Sequence, residues 1–202
     1  MAIEKDFFRQ VMGCFATGVT VVTTQHQGEL GGLTVNAFCS VSLNPPLVLV
    51  CVDLASSTLP LIHESQRFAV NMLSEDQEEI SRCFATPSGA RFSRFCDTQY
   101  HEVVTGAPVL DQVLAFVDAR VVAEYPGGDH TIFLGQVEAM GTGGKVIYAD
   151  DTIGRQQAPQ ISRNGSAINK EPLAFFRGKY RQLTALAQET SLATVIDETA
   201  GK

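Results

Sequence analysis

Residues 34–40 (TVNAFCS) are one of two polar segments whose side chains could bind a ligand. They begin where a predicted strand ends. Thr, Asn and Ser side chains, together with nearby backbone groups, can read the alternating donors and acceptors at the edge of a flat polar ring. Asn36 and Ser40 are equally common in turns that bind nothing, so both interpretations stay open at this point.

The second polar segment is a run of three hydroxyls, Ser56, Ser57 and Thr58, directly before a predicted helix. Hydroxyl groups at this position often cap the free N–H groups of the helix. The same N–H groups and the positive end of the helix also bind phosphate. Taken together, residues 32–58 predict a cradle for a flat polar ring that carries a phosphate tail.

Three further stretches carry candidate ligand contacts. His130 follows a Gly-Gly-Asp turn and is either an exposed or structural histidine or a contact to a cofactor or substrate at a barrel rim. Residues 177–180 (RGKY) are either a strand bulge with exposed charges or a means of bringing Arg177 to a phosphate or a pyridine nucleotide. Residues 91–95 (RFSRF) alternate cations and aromatic rings, which either pack on an adenine-like ring or cover an edge of the core.

The sequence lacks the signatures of several common sites. No GxGxxG follows a strand, no GxSxG elbow occurs, and residues 141–145 (GTGGK) are only part of a P-loop. The four histidines show no metal-ligand spacing. The net charge is −7 and the basic residues are scattered, so neither a nucleic-acid nor a membrane partner is expected.

The five cysteines are odd in number and form no CxxC pair, so we expect neither a disulfide framework nor a zinc site. Cys14, Cys39 and Cys51 stand in apolar contexts and are expected to act as small core residues. The N-terminus lacks the apolar core of a signal peptide, and no run of about 18 apolar residues occurs. A cytoplasmic location is therefore expected.

A chain of 202 residues is expected to form one domain. Hydrophobic periodicity predicts helices over residues 4–16, 59–64 and 75–84, the last opened by a capping box at Ser74 and Gln77. Strands are predicted over residues 19–24, 30–35, 47–52, 68–73, 113–125, 130–140 and 174–183. Many short strands with few helices favour an antiparallel barrel over a parallel α/β sheet.

Composition sets two regions apart from this pattern. Residues 141–170 are rich in Gly and Asn and poor in large apolar side chains, which predicts a long surface excursion. Residues 184–202 are weakly apolar and predict a C-terminal tail, either helical or extended. We therefore expect one domain over residues 1–183, including the excursion, followed by the tail.

The ordered set of motifs between residues 7 and 183 resembles the flavin reductase-like family, the short-chain NAD(P)H:flavin oxidoreductases with an FMN-binding split barrel. The matching stretches include FATGVTVVTT at 15–24, GLTVNAFCSVSL at 32–43, PPLV at 45–48, SSTL at 56–59, FAVN at 68–71, GDH at 128–130 and RGKY at 177–180. The resemblance implies a mainly β, antiparallel, Greek-key-like split β-barrel of six strands with peripheral helices. It also implies a homodimer with the flavin near the dimer interface.

The resemblance assigns roles to individual residues, which stand here as expectations. Those expected around the isoalloxazine ring are Thr34, Val35, Asn36, Cys39 and Ser40, and those around the ribityl phosphate are Asp53, Ser56, Ser57 and Thr58. Arg91 and Phe92 would lie near the flavin tail, and His130 and Tyr180 would flank the nicotinamide side. Arg177 is expected to bind the cofactor, at a phosphate or a pyridine nucleotide. Ala37 and Cys39 stand where many members carry Ser and Thr, which removes hydroxyl groups that could bond the flavin.

The implied activity is reduction of FMN or FAD by NADH or NADPH, with a hydride passing from nicotinamide to flavin. His130 is expected to position the nicotinamide rather than to transfer a proton. Reduced flavin would then diffuse to a separate monooxygenase. Three alternatives stay open: a split-barrel flavoprotein that holds FMN tightly for its own substrate, in the manner of pyridoxamine oxidases, a non-catalytic flavin or haem carrier, and a dimeric interaction module without a ligand.

Overall fold

The computed structural model describes residues 3–87, 94–150 and 170–183. Its α-helices are α1 (Lys5–Met12), α2 (Leu59–Ser65) and α3 (Glu78–Ala85), with short 3-10 turns at Glu75–Gln77 and Phe95–Asp97. Its strands are β1 (Thr17–Gly18), β2 (Thr20–His26), β3 (Glu29–Val35), β4 (Phe38–Leu43), β5 (Pro46–Asp53), β6 (Arg67–Met72), β7 (Tyr100–Glu102), β8 (Pro108–Leu110), β9 (Ala115–Gly127), β10 (His130–Thr142), β11 (Lys145–Tyr148), β12 (Ala174–Phe176) and β13 (Lys179–Arg181).

One antiparallel sheet organises the molecule. Its strands follow the order β3-β2-β6-β9-β10-β5-β4, and β11 adds to β10. The small sheet β1-β12-β13 and the pair β7-β8 lie outside this path. The sheet brings the end of β5 beside the start of β10, although about 75 residues separate them in sequence, because antiparallel partners run in opposite directions.

The core covers both faces of strand β2, since buried side chains of this strand belong to two separate clusters. The larger cluster is built mostly from β-branched and aromatic residues. Val22, Val50, Phe68 and Phe133 are fully buried in it. Gly135 allows this packing, since a Cβ there would lie 2.5 Å from the Phe68 ring. Burying a side chain of this size stabilises a fold by roughly 1.5–3 kcal/mol.

Buried polar groups fix the strands and the 103–110 segment in register. The amide of the fully buried Asn71 donates to the Val21 carbonyl at 3.0 Å and accepts from the Leu110 N–H at 2.8 Å. The buried carboxylate of Asp118 accepts from the Val104 and Thr105 N–H groups, each at 2.8 Å, and from the Thr105 hydroxyl. Burial raises the pKa of Asp118 above its ordinary value, although these three hydrogen bonds oppose the shift.

Most predicted elements are confirmed, including both long strands, their hairpin and the capping box at Ser74. The first helix ends at Met12 rather than at residue 16, and strand β4 was not predicted. Residues 177–178 form the turn of the β12–β13 hairpin, so the predicted strand with a bulge is wrong there. The first part of the predicted excursion forms strand β11, while 151–169 and the tail after 183 lie outside the described residues.

Two expectations about cysteine are wrong. Cys83 and Cys96 form a disulfide bond with a Cα–Cα distance of 6.0 Å. Spacing in sequence could not reveal it, because the two residues meet only when α3 packs beside the 95–97 turn. Cys14 and Cys39 are exposed rather than in the core, and Cys51 is half-buried.

Helix α1 has a large apolar surface and none of its residues is buried. Its apolar side and the turn after it expose Phe7, Phe8, Val11, Met12 and Phe15, with 71% of Phe15 accessible. Single exposed apolar residues are common, but a contiguous patch marks an interaction surface. No helix in the described part of the chain is long and apolar enough to cross a membrane.

Candidate active site

The loop that follows β5 is held in shape by its own hydrogen bonds. The Asp53 carboxylate accepts from the Ala55 N–H at 2.8 Å, and the Asp53 carbonyl accepts from the Ser56 N–H at 2.9 Å. The Ser56 hydroxyl accepts from the Thr58 N–H at 3.3 Å. These turn-type bonds fix the backbone and leave Ser57 exposed at the tip.

Thr58 differs from the two serines before it. It is buried, and its hydroxyl donates to the Gly32 carbonyl at 3.2 Å, which ties the start of α2 to β3. It makes no side-chain cap on α2. The prediction that these hydroxyls cap the helix is therefore wrong for Thr58. Its hydroxyl instead joins the helix to the sheet.

A cleft of about 390 Å³ opens between this loop, strand β3 and the C-terminal end of α3. Its lining consists of Leu33, Thr34, Asp53, Ala55, Ser56, Ser57, Phe84, Ala85 and Pro87. Leu33 and Phe84 are buried and form the floor from beneath, whereas the serines and Asp53 are accessible at the rim. The structure thus brings together Thr34 from the first polar segment and Asp53, Ser56 and Ser57 from the second.

Thr34 is anchored to α3. Its hydroxyl donates to the Ser81 carbonyl at 2.6 Å, and the Ser81 hydroxyl is bonded to the Tyr180 hydroxyl at 2.8 Å. The Arg82 guanidinium stacks on the Tyr180 ring at 4.8 Å. Tyr180 therefore contacts α3 and supports the helix that forms one wall of the cleft, and it is not part of the lining itself.

The other residues expected around the ring divide into two groups. Val35 is buried, and its carbonyl accepts from the Thr20 hydroxyl at 2.7 Å. Asn36, Cys39 and Ser40 are exposed, on β4 and the turn before it, and none of them lines the cleft. Ring recognition by this segment would thus involve a surface next to the cleft rather than its interior.

Two thiols lie on neighbouring strands of this surface. Cys39 pairs with Leu49, two residues before Cys51 on β5. The pKa of the Cys51 thiol is raised, mainly by burial and further by the nearby Cys39. Cys51 is therefore protonated and unreactive at neutral pH.

His130 stands at the start of β10, directly opposite Asp53 in the β5–β10 pairing. Its Nδ1 is bonded to the Asp129 carboxylate at 2.7 Å, and this hydrogen bond lowers the pKa of Asp129. The Asp129 carbonyl accepts from the Leu54 N–H at 3.0 Å, which joins the turn before His130 to the loop after β5. Because Nδ1 is engaged, Nε2 is the ring nitrogen left for a ligand.

Arg177 lies elsewhere, in the turn of the β12–β13 hairpin. It is exposed, its N–H donates to the Gly13 carbonyl at 2.8 Å, and its guanidinium stacks over the Phe176 ring at 5.1 Å. The turn therefore meets the end of α1 rather than the cleft. Arg91 and Phe92 lie outside the described residues.

The sequence did not reveal that the end of α3 and the residues after it form one side of the cleft, through Phe84, Ala85 and Pro87. It also did not reveal the hydrogen bond between Asp129 and His130. The only signal was the end of a helix followed by Pro87, which is typical of any helix end. Across the described ranges, no group of three or more His, Cys, Asp or Glu residues could hold a metal ion.

The cleft fits one half of a flavin nucleotide. Its volume falls within the range of small-molecule pockets, its floor is apolar, and its rim offers hydroxyls and a constrained loop for the polar tail.

Comparisons with known proteins agree with this geometry. Residues 12–184 match the model of the flavin reductase like domain. The chain is 40% identical over 148 residues to the reductase component of 4-nitrophenol 4-monooxygenase/4-nitrocatechol 2-monooxygenase from Rhodococcus opacus, covering 72% of this chain and 78% of that one. It is 43% identical over 142 residues to a flavin reductase (NADH) from Kitasatospora aureofaciens, covering 69% and 73%.

A solved structure supports the same conclusion. The NADH:FAD oxidoreductase SgcE6 of Streptomyces globisporus, in complex with NAD and FAD fragments, superposes with a TM-score of 0.74 at 31% identity, over 92% of this chain and 96% of that one. The expected split-barrel fold is confirmed. From its motifs, its sheet and its matched length, this chain belongs to the flavin reductase-like family.

Proposed function

We propose that this protein is an NADH-dependent flavin reductase that reduces FMN or FAD and releases the product to a separate monooxygenase. The observation that carries the proposal is the junction of the 53–57 loop with the Asp129–His130 turn, through the Leu54 N–H and the Asp129 carbonyl. One element has the chemistry to bind a flavin tail and the other to bind a nicotinamide. Their direct contact supports a single site for both nucleotides.

In this proposal the bound flavin supplies the electron acceptor, taking a hydride from the nicotinamide. The chain's residues bind and orient. Ser57, exposed at the tip of the loop, would hold the phosphate end of the flavin, and Leu33 and Phe84 would keep water from the floor of the cleft. Nε2 of His130 would hold the nicotinamide carboxamide and so orient its ring toward the flavin.

We further propose that the protein works as a homodimer. Support comes from the exposed apolar side of α1, which a second copy could cover, and from β4, whose Val41 and Leu43 are also exposed. Leu43 is 96% accessible, and exposing a leucine of an edge strand to water is unfavourable in free energy. Residues 36–40 lie beside this strand, so a partner there would enclose the ring of the flavin.

The test is steady-state oxidation of NADH and of NADPH with FMN, FAD and riboflavin in turn. We expect faster turnover with NADH, and a higher KM for riboflavin than for FMN because riboflavin lacks the phosphate that the 53–57 loop binds. The complex of the protein with reduced flavin is mixed in a stopped-flow instrument with a second protein that binds free flavin. Reduced flavin should be released to that protein within the turnover time. Absence of flavin-dependent NADH oxidation would refute the proposed function. A flavin that stays bound through many turnovers would refute the release step alone.

A further inference from the structure

The disulfide between Cys83 and Cys96 lies directly beside the cleft. Cys83 is in the last turn of α3, and the next two residues, Phe84 and Ala85, belong to the cleft lining. Cys96 is in the short turn Phe95–Asp97. Both cysteines are half-buried, so small reagents can reach the bond.

The turn at the other end of the bond has an unfavourable backbone conformation. Phe95, Cys96 and Asp97 have φ values of 47°, 57° and 53°, the left-handed region that side chains other than glycine rarely adopt. Three such residues in a row persist only where the surroundings impose the conformation. The disulfide is one of those restraints, and the burial of Phe95 is another.

An aromatic contact connects this turn to the cleft. Phe95 packs edge-to-face on Phe84 with 5.1 Å between the ring centroids. The Phe84 ring also meets Gly32 of β3, where a Cβ would lie 2.6 Å from that ring and 3.4 Å from the Phe95 ring. Phe84 and Phe95 therefore pack together against β3, and a shift of Phe95 changes the support of the cleft floor.

We propose that Cys83 and Cys96 are a thiol–disulfide switch that sets the affinity of the cleft for flavin. The disulfide holds the left-handed turn and so keeps Phe95 against Phe84. In the dithiol form the turn loses its covalent restraint and relaxes, the floor loosens and flavin binds more weakly. This inference rests on the proposed function for the identity of the ligand.

The chemistry balances with hydrogen peroxide as the oxidant and a dithiol protein or small dithiol as the reductant. Peroxide takes two electrons from the two thiols, giving the disulfide and two waters. Released reduced flavin produces this peroxide when it reacts with oxygen. In the reverse direction, one thiolate of the reductant attacks the Sγ of one cysteine, which breaks the protein disulfide, releases the other cysteine and forms a mixed disulfide. The second thiol of the reductant then displaces the attacked cysteine, so that both cysteines become thiols and the reductant becomes a disulfide. The switch would favour flavin reduction when oxygen, which a monooxygenase requires, is present.

The experiment compares peroxide-treated and dithiothreitol-treated protein. Thiol titration of the denatured chain should give three thiols after peroxide and five after reduction, since five cysteines are present and three are unpaired. Fluorescence titration should show that reduction raises the Kd for FMN by about fivefold or more, a typical coupling between two sites. Cys14→Ser serves as the control and should keep this response.

Two variants separate the switch from a folding defect. Cys83→Ser/Cys96→Ser should bind FMN with the Kd of the reduced wild type, and this Kd should not change on treatment with peroxide or dithiothreitol. Phe95→Leu should keep the disulfide by thiol titration yet show a smaller change in Kd on reduction, because the contact with Phe84 is weakened. Equal Kd values for the oxidised and reduced wild type, or five thiols after peroxide treatment, would overturn the switch. Failure of both FMN and FAD to bind in either state would instead overturn the proposed function together with the switch.

Discussion

Asp53, the last residue of β5, pairs with His130, the first residue of β10. Asp53 begins the loop that lines the cleft, and His130 ends the turn that is bonded to that loop through Leu54 and Asp129. A displacement of either element is therefore transmitted to the other. This pairing is the basis for expecting separate but adjacent subsites for flavin and nicotinamide.

Replacing His130 by Ala should affect the nicotinamide subsite. We expect the KM for NADH to rise about threefold to tenfold, which corresponds to one lost hydrogen bond. The Kd for FMN should stay within about twofold of the wild-type value, because His130 is not part of the cleft lining. His101→Ala is a matched control, since that histidine is also bonded to an aspartate, Asp111, at 2.8 Å. Equal losses in NADH and FMN binding would contradict a nicotinamide role.

Ser57 and Thr58 are neighbours with opposite expected effects. Ser57→Ala should raise the Kd for FMN about fivefold, through loss of a hydrogen bond to a charged group, and should leave the Kd for riboflavin unchanged. Thr58→Ala should instead lower the free energy of unfolding by about 1 kcal/mol, because it removes a buried hydroxyl that bonds Gly32. Fluorescence titration and urea unfolding measure the two effects. A weaker riboflavin complex in the Ser57 variant would place that hydroxyl near the ring, not the phosphate.

Phe7→Glu should convert the proposed dimer into a monomer. The change puts a charge on the apolar side of α1, and a charge buried in an interface is costly unless it is paired. Light scattering after size-exclusion chromatography reports the mass. Gln10→Glu introduces the same side chain on the polar side of the helix and should leave the dimer intact. A wild-type protein that is monomeric at micromolar concentration would refute the dimer.

Asp118 should make stability depend on pH in the acidic range. Burial raises the pKa of Asp118 in the folded state above the unfolded value of 3.8. The stabilisation of the fold by the protonated carboxyl is therefore complete below pH 3.8 and is lost as the pH rises through the folded-state pKa. Asp118→Asn should abolish this dependence and lower the free energy of unfolding at pH 7 by about 1–3 kcal/mol, because an amide cannot accept all three hydrogen bonds. Urea unfolding of both proteins from pH 4 to 7 tests this. Parallel pH profiles would show that Asp118 does not titrate differently on folding.

Local patterns were sufficient to predict most secondary structure and the loop 53–58. The β-branched run in β2, the Gly128–Asp129 turn and the capping box at Ser74 each depend on neighbours within a few residues, so their physics is visible in the sequence. The resemblance to a family depended on the order of such motifs. These are short-range properties of the chain.

The tertiary structure alone decided which of these residues meet. Nothing near Cys83 in sequence indicates Cys96, and nothing near Thr34 indicates that its hydroxyl is bonded to α3. Composition and periodicity were enough to predict a mainly β chain with a polar, hydroxyl-rich segment after β5. Only the folded sheet placed His130 opposite Asp53 and formed the floor of the cleft from Phe84, because strand pairing and helix packing join residues that are distant along the chain.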